Sequence, residues 1–472
     1  MRLLDTRTQF HVEIAGIDEV LQQTALLPEV VANFVEPLGF LDEDIPLGSL
    51  RAKQRPWRKQ LADLHRNAVL SAFVQRLRES VPYYRENSRE LEAKSGFVGL
   101  PQAPRLSKAD LREHWADMLD PQVSIAGGLT DGSLEIAQTS GSSGERLQVI
   151  AQLRSDHLPP YPEQVWGIAP LPDAVRAAVI TSPNCVVRYC GLASAAREDR
   201  LIERTTLHIA GNHDIFHADD SLVRQFAEDL ESFRPDILVA NPVYLNWLTA
   251  RARGLGLHLP SVSLVLVTYQ YTPTLQRRAI EAAWKAPVYD IYSATECGGL
   301  EVAVGCRCGH WHVFEDHSFV EIEACKTAGL PPGVGDVLIT THASEVMPLL
   351  RYEIGDLAAW SEVDCECPLS DWRTLIFHGR SQETLLAGRR RVTTRQVDSA
   401  VAEVAGIAFA QVYAQDGGFC ADVIPSESGG FKASELREAF FDKFDIRSLN
   451  VREVRALRPL PSLKYPLVRP AA

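Results

Sequence analysis

No stretch of this sequence stays apolar for the roughly 20 residues that a membrane-crossing helix needs. A membrane role is therefore not expected. The opening, MRLLDTRTQFHVEIAG, lacks the unbroken apolar centre of a secretory signal. Basic residues are in deficit: 48 Lys and Arg against 61 Asp and Glu give a formal charge of −13. That balance argues against nucleic acid and anionic membrane surfaces as partners, since both call for basic stripes. It leaves room for one anionic nucleotide in a local site. Cysteine is sparse and odd in number, nine in 472 residues. A secreted disulfide scaffold is disfavoured, and a cytoplasmic location is the expectation. There is no tandem repeat, no low-complexity tract and no Gly-x-x-x-x-Gly-Lys-Ser/Thr phosphate loop.

The chain is too long for one compact core. Its 46% apolar and 23% charged residues are ordinary for a globular enzyme. Residues 1–130 read as helical, with Ser107 a candidate N-cap. From about residue 136, buried-strand runs (236–240, 263–267, 288–292) alternate with helical ones (226–233, 275–284). That alternation predicts a helix-covered, mostly parallel sheet. Beyond Cys306–His312 the chain is β-rich, with strands at 337–340 and 374–377. After Arg380 come a basic hairpin, a helix, two strands, a helix and a strand, a small α+β unit. The expected class is α/β: a large N-terminal domain (1–379) with a β-rich subdomain, and a small mobile C-terminal domain (380–472).

Several motifs could carry chemistry. In Thr139-Ser140-Gly141-Ser142-Ser143-Gly144, small residues let backbone N–H groups turn inward around phosphate oxygens, and hydroxyls add donors; a flexible linker would look the same. Tyr292-Ser293-Ala294-Thr295-Glu296 follows a strand, where open α/β sheets bind ligands. There a hydroxyl can meet phosphate and a carboxylate can hold Mg²⁺, although Thr295 could simply cap a helix. Asp356, in Arg351-Tyr352-Glu353-Ile354-Gly355-Asp356, can accept from two ribose hydroxyls or be a plain turn residue. Gly379-Arg380-Ser381-Gln382-Glu383 and the late Lys464 each have bland readings, as an interdomain turn and a solvated side chain. Cys306, Cys308, His312, Cys365 and Cys367 are five candidates for the four positions of a tetrahedral Zn²⁺. Reduced structural cysteines are the alternative.

Taken in this order, the motifs resemble those of the acyl-adenylate-forming enzymes. Val81-Pro82-Tyr83-Tyr84-Arg85, Leu106-Ser107-Lys108-Ala109-Asp110-Leu111-Arg112, Glu315-Asp316-His317 and Met347-Pro348-Leu349-Leu350-Arg351-Tyr352 resemble the phenylacetate–CoA ligase branch in particular. The resemblance implies ATP, Mg²⁺ and CoA, a small carboxylic acid substrate and a structural zinc knot in the two cysteine regions. It implies that Thr139–Gly144 hold the outer phosphates, Thr295 the α-phosphate and Glu296 Mg²⁺. Asp356 would bind the ribose, Tyr292 would pack on adenine and Arg380 would contact the ribose region or steady the hinge. Lys464 would bridge carboxylate and α-phosphate, and the small domain would then rotate about Gly379–Gln382. Segments near 186–190, 209–214 and 241–244 would line the acid pocket, where Tyr189, Phe216, Tyr244 and Trp247 suggest an aromatic or other flat apolar acid; the same residues could be plain core.

The sequence departs from the family pattern in places. Gln382 stands where Asp or Lys is usual, and Lys464 follows Pro461 closely with no preceding Gly. Tyr269-Gln270 replaces a common Glu-Pro, Ser293 replaces a common Gly, and Leu147 replaces a phosphate-loop lysine that Arg146 could substitute. An amine or a carrier-protein thiol could take the acyl group instead of CoA. A non-catalytic nucleotide-binding protein with a decayed site is the third reading, and a homodimer stays open.

Overall fold

The computed structural model describes residues 2–4, 11–13, 56–87, 103–139, 147–152, 171–172, 174–182, 197–202, 204–210, 214–306, 308–315, 317–324, 328–361, 365–367, 369 and 372–470. A short antiparallel pair, β1 (Arg2–Leu4) and β2 (His11–Glu13), opens the chain. It corrects the helical reading of residues 1–130 at that end: His-Val-Glu alternates with the two-residue period of a strand. Helices α1 (Pro56–Ser80), α2 (Pro82–Glu86), α3 (Lys108–Glu113) and α4 (Ile125–Asp131) fill most of the other described positions there. Ser107 does cap α3. Its side chain accepts from the Asp110 N–H while the Asp110 carboxylate accepts from the Ser107 N–H, a reciprocal capping box.

The hairpin β3 (Leu134–Gln138) and β4 (Gln148–Gln152) leads into a long mixed sheet. Its first half is β5 (Ala177–Thr181), β6 (Leu201–Ile202), β7 (Thr206–Ala210), β8 (Ile237–Ala240), β9 (Leu264–Val267) and β10 (Val288–Ser293). Helices α5 (Asp220–Phe233), α6 (Pro242–Gly254) and α7 (Thr274–Trp284) make the crossovers from β7 to β8, β8 to β9 and β9 to β10, and β7, β5, β8, β9 and β10 run parallel. Each crossover has a local cause. Asp219 caps α5, whose Val223, Phe226, Leu230 and Phe233 form one buried stripe. Asn241 caps α6 just ahead of Pro242, whose fixed φ suits the first helical position.

The second half is β11 (Glu301–Gly305), β12 (Trp311–Val313), β13 (Phe319–Ala324), β14 (Gly335–Thr340), β15 (Tyr352–Trp360) and β16 (Thr374–Arg380). These strands are antiparallel and continue the same sheet, in the order β13-β14-β15-β16-β12-β11-β10-β9-β8-β5-β7-β6. The expected β-rich subdomain is therefore joined to the parallel half by the β10–β11 ladder, with a bulge between Tyr292 and Ser293. The motif after β10 thus stands at the carboxyl end of a parallel strand, the end at which open α/β sheets bind ligands.

Two branch motifs meet here as structural glue. The Tyr84 hydroxyl donates to Pro348 O at 3.2 Å and accepts from Leu350 N–H at 3.0 Å. Glu315, almost wholly buried, is held by Arg66 at 2.6 Å and Arg373 at 2.8 Å. Asp316 lies outside the described residues.

After Arg380 come β17 (Thr384–Ala387), β18 (Arg390–Thr393), α8 (Thr394–Val401), β19 (Ile407–Gln415), β20 (Gly418–Pro425), α9 (Ala433–Phe444) and β21 (Leu449–Glu453). β19, β20 and β21 form a separate sheet with its own apolar cluster running from Leu385 to Val468. Phe409, Leu457 and Tyr465 nevertheless pack into the core of the parallel half. No described helix is long and apolar enough to cross a membrane.

Candidate active site

A cavity of about 360 Å³ opens at the carboxyl end of β10 and is lined also by Glu383, Lys464 and Pro466 of the C-terminal unit. β10 delivers Tyr292 and Ser293 to its floor, and a single 3-10 turn, Thr295–Cys297, follows at once. Thr295 is inside that turn rather than capping it, because Ala294 holds the cap position. Glu296 Oε1 accepts from the Tyr352 hydroxyl at 3.1 Å and lies 3.5 Å from Lys108 Nζ. Lys108 sits at the first position of α3, so the Ser107 cap fixes where its side chain begins.

Asp356 and Arg380 face each other in the β15–β16 register, and Arg380 Nε lies 3.2 Å from Asp356 Oδ1. The Tyr292 hydroxyl donates to Asp356 Oδ2 at 2.6 Å. Burial raises the Asp356 carboxyl above its ordinary value, opposed by Arg380 and by the Tyr292 hydrogen bond. Burial, with Asp356 beside it, also holds the Tyr292 phenol in its protonated form. Arg380 is in turn fixed as a cation by Asp356. Asp356 is thus a buried acceptor whose present partners, a phenol and a guanidinium, stand where other hydroxyl donors could compete.

Thr139, Tyr292, Thr295, Glu296, Asp356, Arg380 and Lys464 all line this one cavity. Ser140, Gly141, Ser142, Ser143 and Gly144 lie outside the described residues, as does Arg146. Thr139 and Leu147, the described residues on either side, pair: the Thr139 N–H donates to Leu147 O at 2.8 Å and its Oγ1 accepts from Leu147 N–H at 2.9 Å. Among the described residues no acceptor takes the Thr139 hydroxyl proton, while Leu147 is buried in the apolar core. The Tyr292 ring packs against Phe377 at 5.2 Å and Trp311 at 6.0 Å, and Tyr271 stacks on Phe377 at 6.3 Å. Tyr271, Trp311 and Phe377 thus join Tyr292 in an aromatic cluster that lines the cavity.

Other residues escaped the sequence reading. Lys108 lay within a branch signature that suggested no role. Glu383 follows Gln382 and turns into the cavity, where burial raises its carboxyl to about 7 against the pull of Arg380 and Lys464. Of the aromatic residues named for the acid pocket, the three that are described follow their other reading, as core. Phe216, Tyr244 and Trp247 belong to the core of the parallel half. They are not among the residues lining the cavity, whose apolar end is formed by Val239, Leu266 and Ile291. The reason is Tyr465, which occupies the space between Phe216 and Tyr244. Tyr189 and 186–190 lie outside the described residues.

The two cysteine regions also converge. Ligand atoms of Cys306, His312, Cys365 and Cys367 all lie within 4.8 Å of one another. Cys306 Sγ is 3.5 Å from Cys365 Sγ, and Cys367 Sγ is 3.2 Å from His312 Nε2. Zinc bonds of about 2.3 Å to sulfur and about 2.0 Å to nitrogen set tetrahedral edges of about 3.5 Å, so this set fits the ion. Cys367, followed by His312, lowers the Cys306 thiol below its usual value, which favours the thiolate. Cys308 is exposed and falls outside the four.

No family model matches the chain. Over 371 residues, 76% of each chain, it is 26% identical to a phenylacetate–coenzyme A ligase of Thermus thermophilus. A phenylacetate–coenzyme A ligase of Aromatoleum evansii is 32% identical over 135 residues, 27% of this chain and 30% of that one. Among solved structures, 2-hydroxyisobutyryl-CoA ligase in the postadenylation state superposes with a TM-score of 0.63 at 17% identity, covering 91% of this chain and 94% of that one. An open conformation of that ligase with its acyl-AMP and CoA gives 0.51, covering 87% and 93%.

Proposed function

From the premise that this chain is a phenylacetate–CoA ligase-like relative within the acyl-adenylate-forming superfamily, we propose that it activates a carboxylic acid with ATP and passes the acyl group to CoA. A substrate carboxylate oxygen attacks the α-phosphorus, the α–β phosphoanhydride bond breaks, and pyrophosphate leaves. The CoA thiol then loses its proton, its sulfur bonds the acyl carbon, and AMP departs. The carboxylate is already a nucleophile, so the residues have to position two anions and offset their repulsion. The single observation that supports this most is that Thr295, Glu296, Asp356, Arg380 and Lys464, scattered in sequence, line one cavity at the end of β10.

In this reading Lys464 bridges the carboxylate and the α-phosphate. Thr295 donates to the α-phosphate, while Thr139 and Lys108 face the leaving pyrophosphate. Asp356 exchanges its Tyr292 hydroxyl for ribose hydroxyls, and Tyr271, Trp311 and Phe377 present the adenine face. Glu296, with its carboxylate at the pocket edge, would hold Mg²⁺, which when bound neutralises phosphate charge. Cys306, His312, Cys365 and Cys367 would hold a structural Zn²⁺ that ties β11–β12 to the segment before β16.

The small domain would begin at Arg380 and rotate about Gly379–Gln382 between the half-reactions. Gly379 has φ +97, and a Cβ there would meet Thr394 Cβ at 2.6 Å, so only glycine fits that joint. ATP and CoA supply makes the cytoplasm the place of action.

Acid-dependent ATP–pyrophosphate exchange over a panel of aryl and alkyl acids is the test. Exchange with an acid, followed by thioester formation when CoA is added, is the expected result. Amide or carrier-bound product in place of the thioester would reassign the acceptor. Folded protein that binds ATP and exchanges with no acid would overturn the activity.

A further inference from the structure

Residues 460–466 form a finger that hangs from the small unit and is seated in the large one. Its base is laced to β19. Val412 N–H donates to Leu467 O at 2.7 Å, Arg469 N–H to Val412 O at 2.9 Å, and Gln411 Nε2 to Arg458 O at 3.1 Å. The tip folds back on itself: Leu460 N–H donates to Lys464 O and Leu463 N–H to Leu460 O, both at 2.8 Å. Leu463 has φ +60, a left-handed conformation that a branched side chain adopts only when its surroundings impose it.

The surroundings that impose it belong to the large unit. The Tyr244 hydroxyl donates to Leu463 O at 3.1 Å. The Gln270 amide pairs in both directions with the Tyr465 backbone, accepting from its N–H and donating to its O at 3.2 Å each. Asn241 Nδ2 donates to Gln270 Oε1 at 3.2 Å, which fixes the orientation of that amide. The Tyr465 hydroxyl donates to Asp214 Oδ1 at 3.1 Å and accepts from Ile215 N–H at 3.2 Å, with its ring edge-on to Phe216 at 5.1 Å. Lys464 is thus fastened through its own carbonyl and through both chain neighbours, while its ammonium charge acts on Asp356 and Glu383 across the cavity.

We propose that Gln270 and Tyr465 are positioning residues for Lys464, and that together they form a lock specific to the adenylation orientation. The inference rests on the function proposed above. Lysine has a long, flexible stem, so an ammonium is delivered to one point only if the backbone beneath it is fixed. The base of the finger is bonded within the small unit and the tip within the large one. Any rotation between the two keeps the base bonds and breaks the tip bonds. The lock therefore serves acyl-adenylate formation and must open before the thiol step.

The test separates the half-reactions. Gln270→Ala should lower the kcat of acid-dependent pyrophosphate exchange at least about tenfold with the KM for the acid little changed. Thioester formation from chemically prepared acyl-adenylate and CoA should be unchanged or faster. Tyr465→Phe, which keeps the ring, should lower exchange less. In a Lys464→Ala background, Gln270→Ala should add nothing further. Equal loss in both half-reactions, or unchanged exchange, would sink the proposal. A second readout needs no turnover: amide hydrogen exchange of Leu463–Leu467 should speed up in Gln270→Ala while β19 and β20 stay protected. An unaltered finger there refutes the lock whatever the activity. Wild-type protein that exchanges pyrophosphate with no acid defeats the functional reading alone, and the lock is then judged by the amide data.

Discussion

Two parts of the molecule face each other across the cavity and are held in different ways. The wall is carried on strand ends of the large sheet. Asp356 and Arg380 are opposed by strand register, and Thr295 and Glu296 follow β10 directly. Their positions come from the strand ladders of the large sheet, of which Arg380 is the last residue before the joint. The finger carrying Lys464 has no ladder of its own, and its tip is set by side chains more than 190 residues away in sequence. Groups held on a sheet in this way keep one position. A finger held by a few side-chain bonds can be released, which suits a group needed in one half-reaction only.

The comparison can be broken most sharply at Lys464. Lys464→Ala should lower pyrophosphate exchange about a hundredfold or more, while chemical denaturation finds stability within about 0.5 kcal/mol of the parent. If the variant also unfolds, the finger is as structural as the wall.

Asp356→Ala is the converse experiment. It leaves the buried Tyr292 hydroxyl and the Arg380 guanidinium without their acceptor, and should cost about 2–4 kcal/mol of folding free energy along with nucleotide affinity. Denaturation curves that leave stability untouched would mean the wall is not built as described.

Glu383 sharpens the contrast through pH. Burial raises its folded-state value to about 7, above the ordinary carboxylate range. Its contribution to stability is therefore full at pH values below the unfolded value and is lost as pH rises through about 7. Relative to Glu383→Gln, the parent should lose about 2–3 kcal/mol between pH 4.5 and 7.5, measured by denaturation at each pH. A flat difference would show that Arg380 and Lys464 fully compensate the charge.

The smallest effect is expected at Leu463. Leu463→Gly removes the left-handed strain and should change stability by less than about 1 kcal/mol, with exchange activity retained. Leu463→Val, β-branched, should lower exchange more than stability.

The wall was largely legible in the sequence. The apolar run 236–240 announced a strand, although Asn241 as the cap of the helix after it did not stand out, and the placement of Tyr292–Glu296 just past a strand announced the crevice. Gly355-Asp356 and Gly379-Arg380 were visible as motifs, although not the register that opposes Asp356 to Arg380. The capping box at Ser107 was half visible, as its first residue. The cysteine regions were readable as a ligand pool, but which four of the five converge depended on the β11–β12 turn meeting the segment before β16. The aromatic residues Phe216, Tyr244 and Trp247 read equally as pocket or as core in the sequence, since composition does not tell a cavity lining from a core.

By itself the sequence determined the order of elements, the caps and the motif residues of the wall, because these follow from local periodicity and from short-range hydrogen bonds. Only the tertiary structure decided that the parallel and antiparallel halves share one sheet, that Tyr465 fills the space between Phe216 and Tyr244, and that Gln270 grips the finger. Those outcomes rest on packing and hydrogen bonds between residues far apart in the chain, where no local pattern records the partner.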